Sequence, residues 1–171
     1  GHDGRTNAFH INSASEIALR YNDVSVQENF HAATATQILR IHDCNIFRNL
    51  DQEDKQTVRK QMIQYILATD MSSHMTITTA FCNHSDILSS EDVDDRILLG
   101  KTLLHAVDVG NPIRPWKECY RLSSNVQAEF RAQVEEEKRL GLPVAPHMDV
   151  DNSDNTKKAQ LEISFIDYVV Q

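Results

Sequence analysis

The chain has 171 residues, 40% of them hydrophobic and 25% charged, values typical of one domain with a hydrophobic core. A formal net charge of −8 and the lack of a basic run argue against nucleic-acid binding. No apolar run approaches the ~18 residues that span a bilayer, and no signal peptide is visible. Three widely spaced cysteines fit neither a zinc motif nor a disulfide framework, so we expect an intracellular, cytoplasmic location.

Scarce glycine (5) and proline (4) favour long helices, and hydrophobic residues recur at helical spacing along the chain. Ser25 and Ser90 are predicted N-caps, and Gly141 is the predicted stop of the longest helix. In chain order, the predicted helices cover about residues 16–20, 25–40, 51–67, 73–84, 90–108, 115–140 and 157–170. A polar loop is predicted at 143–156. The sequence thus predicts an all-α fold, with residues 1–171 forming a single helical domain that is an interior segment of a larger one.

Asp108 ends the predicted helix that precedes Gly110-Asn111-Pro112. An anion at a helix C-terminus is disfavoured by about 0.3–1 kcal/mol, because that end carries partial negative charge. Burial among apolar neighbours would add a desolvation cost. A metal ion would explain the carboxylate, and His105 lies one turn earlier on the same face. The alternative is a helix-terminal Asp that caps the following loop.

Five segments follow one another along the chain: H-D-G-R-T-N-A-F at 2–9, Y-N-D-V-S-V-Q-E-N-F-H at 21–31, A-T-D-M-S-S-H at 68–74, H-A-V-D-V-G-N-P at 105–112 and F-I-D-Y at 165–168. In order and spacing they resemble the signature motifs of class I cyclic nucleotide phosphodiesterases over essentially the whole chain. The tetrapeptide G-R-T-N at 4–7 most resembles the corresponding segment of kinetoplastid members. The resemblance implies a compact multi-helix, HD-type catalytic domain that hydrolyses the 3′ phosphoester of cAMP or cGMP to a 5′-nucleoside monophosphate, and a homodimer is compatible with it.

The resemblance also implies zinc and magnesium (or manganese) ions that activate a bridging hydroxide. Asp108 matches an aspartate ligand of the first metal, and His2 matches a histidine beside the waters of the second metal. Asp3 stands where the family usually has proline. The other direct ligands and the general-acid histidine would precede Gly1 in the family pattern. A tag remnant is the alternative for Gly1-His2.

Four further residues match positions around the second metal: Glu28, His31, Thr69 and Asp70. Magnesium keeps several waters, so residues that hold those waters matter. Ordinary alternatives are a surface acid, a satisfied helix histidine and helix caps. Phe30 replaces the first histidine of the family's His-His pair.

The resemblance places the purine between Val126 and Phe165, with Phe130 lining the pocket and Asn111 near the base. Core packing is the alternative for the three apolar residues. The family's base-binding glutamine lies three residues before Phe165, where this chain has Glu162. An ionised carboxylate accepts hydrogen bonds but cannot donate one as an amide does. Gln160 would face the base only if the helix carried a shift.

Two other functions stay open at this stage. One is a non-catalytic helical module for nucleotide sensing or dimerisation, which the missing ligands and Glu162 favour. The other is a different metal-dependent phosphohydrolase on the same scaffold, which the purine-clamp matches disfavour. A His-Asp pair encoded upstream of Gly1 would support the enzyme. Four histidines have no role in this interpretation and are predicted at the surface or in loops: His10, His42, His84 and His147.

Overall fold

The computed structural model describes residues 2–151 and 154–170, and all regular structure within these ranges is helical. The all-α prediction is therefore confirmed. The α-helices in the described ranges are α1 (Asn7–Asn12), α2 (Glu16–Arg20), α3 (Val26–Leu39), α4 (Gln52–Leu67), α5 (His74–His84), α6 (Val93–Asp108), α7 (Trp116–Leu140) and α8 (Asn155–Phe165). A π-helical turn, Ile166–Val170, follows α8 directly.

Local capping residues set several of the helix ends. Asp51 caps α4, because its Oδ1 accepts a hydrogen bond from the Asp54 backbone N–H at 2.8 Å. Gly141 ends α7 with a left-handed φ of 69°, a conformation that suits a residue without a Cβ. The prediction for Ser90 was wrong, since Asp92 accepts from the backbone N–H groups at the start of α6. The hydroxyl of Ser25 precedes α3 but makes no cap hydrogen bond.

Helix α1 was missed by the sequence prediction. Its six residues include two asparagines and a histidine, which are weak helix formers. Thr6 caps it, accepting from the Phe9 backbone N–H at 3.2 Å. Helix α8 begins at Asn155, two residues before the predicted start at Lys157, because Asp154 caps it.

The chain divides into two compact units. The central unit comprises Val24–Ala106. The terminal unit comprises His2–Asp23 and the chain from Val107 onward. The single domain inferred from the sequence stays a prediction.

In the central unit, α3 packs along α4. Val26, Ala32, Ala68 and Ile77 are buried. Gly100 in α6 lies against the ring of Tyr65 in α4, and a Cβ added at Gly100 would come within 2.6 Å of that ring. A small residue is therefore required at this crossing.

In the terminal unit, buried Gln133 joins the segment before α1 to α7. Its Oε1 accepts from the Thr6 backbone N–H at 2.8 Å, and its Nε2 donates to Thr6 Oγ1 at 2.9 Å and to Glu137 Oε1 at 2.8 Å. Arg5 adds an ion pair to Glu136. These contacts hold residues 5–6, which precede α1, against α7. A buried polar group that lost its partner would lower the free energy of unfolding.

His10 corrects one prediction. It is buried, not at the surface, and its Nδ1 lies 3.0 Å from the Ser15 hydroxyl. His42 is exposed as predicted. Among the described residues, no helix is both long and apolar enough to cross a membrane.

Candidate functional site

A pocket of about 390 Å³ lies within the terminal unit, lined by α7, α8 and the turn that follows α6. It brings together all five residues that the resemblance linked to the purine: Asn111, Val126, Phe130, Glu162 and Phe165. Its lining is mostly apolar with a few polar groups. That size and character are typical of a small-ligand site. What these side chains bind stays a prediction.

Glu162 supplies a carboxylate to this pocket. Its Oε1 accepts a hydrogen bond from the Ser123 hydroxyl, and Gln127 Nε2 lies 3.5 Å from the same oxygen. The Gln127 amide also donates to Ser123 Oγ at 3.3 Å. Gln160 is exposed and does not line the pocket, because α8 runs without a shift from Asn155 to Phe165. Of the two candidates, Glu162 is the one that faces the pocket.

Sequence reasoning missed several residues that line the same pocket, among them Ser123, Gln127 and His147. Ser123 and Gln127 lie one helical turn apart on α7, so helical spacing around Val126 and Phe130 could have indicated them. His147 was predicted only as a surface or loop residue. It is exposed, yet its ring meets Phe130 edge-on, with centroids 6.2 Å apart and planes at 87°. Nothing in local sequence indicates that contact.

Asp70 is a buried carboxylate in the central unit. Its Oδ2 accepts from the Ser25 hydroxyl at 2.7 Å, and its Oδ1 accepts from the Ser72 backbone N–H at 2.8 Å. Burial acts to raise the pKa of Asp70, but hydrogen bonds from Ser25 and Ser72 outweigh it and hold the pKa below its usual value. Asp70 is thereby an ionised group and a cap for the turn at Met71–Ser73.

The side chains of His74 and His105 form a hydrogen-bonded pair in the central unit. His105 Nδ1 lies 2.9 Å from the Ala68 carbonyl oxygen, so Nδ1 carries a proton and donates. In neutral His105, Nε2 is then an acceptor, and it receives the Nδ1–H of His74 at 2.9 Å. Burial and the neighbouring His105 lower the pKa of His74. Protonation of His74 is therefore disfavoured in the folded protein.

The other residues of the central unit predicted near the second metal are Thr69, Glu28 and His31. The Thr69 hydroxyl donates to the Ile66 carbonyl at 2.8 Å. Glu28 lies in the first turn of α3, and both Glu28 and His31 are half-buried. His31 lies beside Phe30, with ring centroids 6.2 Å apart. All three belong to the central unit, as Asp70 does.

Asp108 and His2 belong to the terminal unit and are exposed. The inference that Asp108 is buried among apolar side chains was wrong. Leu103, Leu104 and Val107 are themselves exposed, at 58%, 39% and 66%, so they do not desolvate the carboxylate. His2 Nδ1 accepts from the Gly4 backbone N–H at 2.9 Å.

A metal centre needs several convergent ligands. Within residues 2–151 and 154–170, no group of three or more His, Cys, Asp or Glu side chains is arranged to hold a metal ion. The described side chains therefore do not make up a metal site by themselves.

A family profile described as 3′5′-cyclic nucleotide phosphodiesterase matches residues 1–171. The chain belongs to this family, whose members are hydrolases.

The chain is similar to a 3′,5′-cyclic-AMP phosphodiesterase, isoform F, of Drosophila melanogaster. The two are 37% identical over 99% of this chain and 26% of the relative. The human high affinity cAMP-specific and IBMX-insensitive 3′,5′-cyclic phosphodiesterase 8A is 35% identical over 99% of this chain and 23% of the relative. The chain thus spans about a quarter of these curated relatives.

A solved structure shows the same fold. The phosphodiesterase domain of Salpingoeca rosetta rhodopsin phosphodiesterase matches with a TM-score of 0.94 and 42% identity, over 99% of this chain and 52% of that one.

Proposed function

We propose that the protein hydrolyses the 3′ phosphoester bond of a cyclic nucleotide, cAMP or cGMP, to the 5′-nucleoside monophosphate. The observation that carries the proposal is the pocket in the terminal unit. Five residues far apart in sequence were matched to purine binding, and all five line that pocket. Family membership and relatives named as cyclic-AMP phosphodiesterases support it.

In this proposal the base lies between Val126 and Phe165, with Phe130 beside it and Asn111 near its edge. Aromatic and apolar side chains favour a purine through stacking and loss of water contact. Glu162 faces the base edge in place of an amide. Ser123 and Gln127 hold one carboxylate oxygen, which fixes the direction of the acceptor.

The family is metal-dependent. We propose Zn²⁺ and Mg²⁺ (or Mn²⁺), with Asp108 as a ligand completed by groups outside the described set. Bound metals would supply an activated hydroxide and neutralise the phosphate. His2, Glu28, His31, Thr69 and Asp70 are proposed to hold and orient water around the second metal. The ionised, hydrogen-bonded state of Asp70 suits that role.

Three finer predictions belong to the same proposal. A particular similarity to kinetoplastid members rests on the tetrapeptide G-R-T-N alone, while the relatives described above come from an insect, a human and a choanoflagellate. A homodimer and a cytoplasmic location are likewise inferred from the sequence.

Asp108→Asn tests the proposal in the whole protein. We expect cyclic nucleotide hydrolysis to collapse and bound metal to fall, while the helical circular dichroism signal persists. Asp86→Asn, which changes another exposed aspartate, is the matched control and should leave both unchanged. Unchanged turnover and metal content in Asp108→Asn would overturn the ligand role. Nucleotide binding without turnover in the unmodified protein would instead favour the non-catalytic sensing module.

A further inference from the structure

The central unit holds a second cavity, of about 420 Å³, between the end of α3, the loop that follows it and α4. None of the residues proposed for hydrolysis lines it. Its apolar lining comes from Leu39, Phe47 and Met62. The cavity is therefore separate from the purine pocket, and the proposed reaction does not use it.

Three cationic side chains also line this cavity: Arg40, Lys55 and Arg59. Lys55 and Arg59 lie one turn apart on α4, a spacing at which like charges disfavour the helix. Across the described ranges, none of the three forms an ion pair. In a chain whose net charge is −8, three such cations around one apolar cavity indicate a place for an anion.

We propose that this cavity binds a small amphipathic anion, with a phosphate or carboxylate head and a short apolar body. Arginine guanidinium groups bind such heads with two parallel hydrogen bonds, and the lysine adds a point charge. Asn45 lines the same space; its Oδ1 accepts from the Phe47 backbone N–H, and its side-chain NH2 can donate a further hydrogen bond to the anion. A concave cavity of this size is typical of a site that binds a small molecule.

Octyl phosphate is the probe, titrated into the whole protein by calorimetry. Octanol tests the apolar part alone, and inorganic phosphate tests the charge alone. We expect octyl phosphate to bind more tightly than either, and its affinity to fall as salt is raised. Arg40→Gln with Arg59→Gln should weaken binding by ~10-fold or more, because charge-assisted hydrogen bonds are lost. Lys60→Gln, an exposed cation on α4 that does not line the cavity, should leave it unchanged.

Two results would overturn the proposal. The first is that octyl phosphate binds no more tightly than octanol. The second is that the Lys60→Gln variant and the arginine variant have the same affinity for octyl phosphate. Circular dichroism checks that the double variant is folded, and Lys55→Gln alone gives a milder second test. Vesicles of phosphatidylcholine with and without phosphatidic acid separate the sources. If the protein binds the phosphatidic acid vesicles and the arginine substitutions abolish that binding, the natural ligand is a lipid head group. If the protein binds octyl phosphate but not the vesicles, the natural ligand is a free metabolite.

Discussion

Replacing Glu162 by Gln changes an acidic group that lines the purine pocket. In the structure, Glu162 Oε1 accepts from Ser123, and Gln127 approaches the same oxygen. Gln can keep the Ser123 hydrogen bond through its carbonyl oxygen and adds an N–H donor. Adenine presents a donor beside an acceptor on each edge, whereas guanine presents two adjacent donors at N1 and N2. The carboxylate therefore matches guanine, and the amide matches either base.

The size of the effect follows from the hydrogen bonds gained. A well-formed pair of hydrogen bonds to a base contributes about 1–3 kcal/mol of discrimination. We therefore expect Glu162→Gln to tighten cAMP binding by roughly tenfold or more, with a smaller change for cGMP. The dissociation constants are measured by competition against a fluorescent cyclic nucleotide. Gln160→Glu is the matched control, since it alters an exposed residue of the same helix that does not line the pocket.

Unchanged or weaker cAMP binding in Glu162→Gln would refute this reasoning. If Gln160→Glu also weakened binding, Gln160 would be the residue that meets the base. Failure of the unmodified protein to bind any cyclic nucleotide would refute the proposed function itself.

Three further predictions concern stability. Gln133→Ala should lower the free energy of unfolding by about 2–6 kcal/mol in urea titrations, because the half-buried Thr6 N–H and the buried Glu137 carboxylate lose a partner at ~1–3 kcal/mol each. The exposed Gln56→Ala should change it by less than about 0.5 kcal/mol. Gly100→Ala should lower the free energy of unfolding by about 1–3 kcal/mol, because the added methyl overlaps the Tyr65 ring. In a Tyr65→Ala background the same substitution should raise it by up to ~1 kcal/mol, since alanine favours the helix. Equal effects in both backgrounds would contradict the contact. Because the pKa of His74 is lowered in the folded state, the stability that neutral His74 contributes is present above pH 6.5 and is lost as pH falls through the folded-state pKa. His74→Asn should therefore reduce the fall in the free energy of unfolding over that pH range.

Helix type and helix ends were largely predictable because local chemistry decides them. Asp51 and Gly141 mark ends of α4 and α7 by capping that needs no tertiary contact. Helix α1 was not predictable in this way. Its sequence is a weak helix former, and the segment before it is fixed by Gln133, a residue of α7 far along the chain.

The pocket was only partly predictable from local pattern. Val126 and Phe130 share a helical face by spacing. Their meeting with Glu162 and Phe165 depends on the packing of α7 against the chain's end, for which family resemblance was the only guide. Asp108 shows the opposite case: apolar neighbours in sequence suggested burial, but they are exposed, because burial depends on what packs against a helix.

We propose that the pocket in the terminal unit holds the purine of a cyclic nucleotide. The most direct test compares cyclic nucleotide affinity in Phe165→Ala with that in Tyr168→Ala, which removes a ring that is 82% exposed three residues later. Base stacking on an aromatic ring contributes about 1–3 kcal/mol, so Phe165→Ala should weaken binding by roughly 5- to 150-fold. Tyr168→Ala should leave it unchanged. Equal affinities in the two variants would contradict purine binding in this pocket.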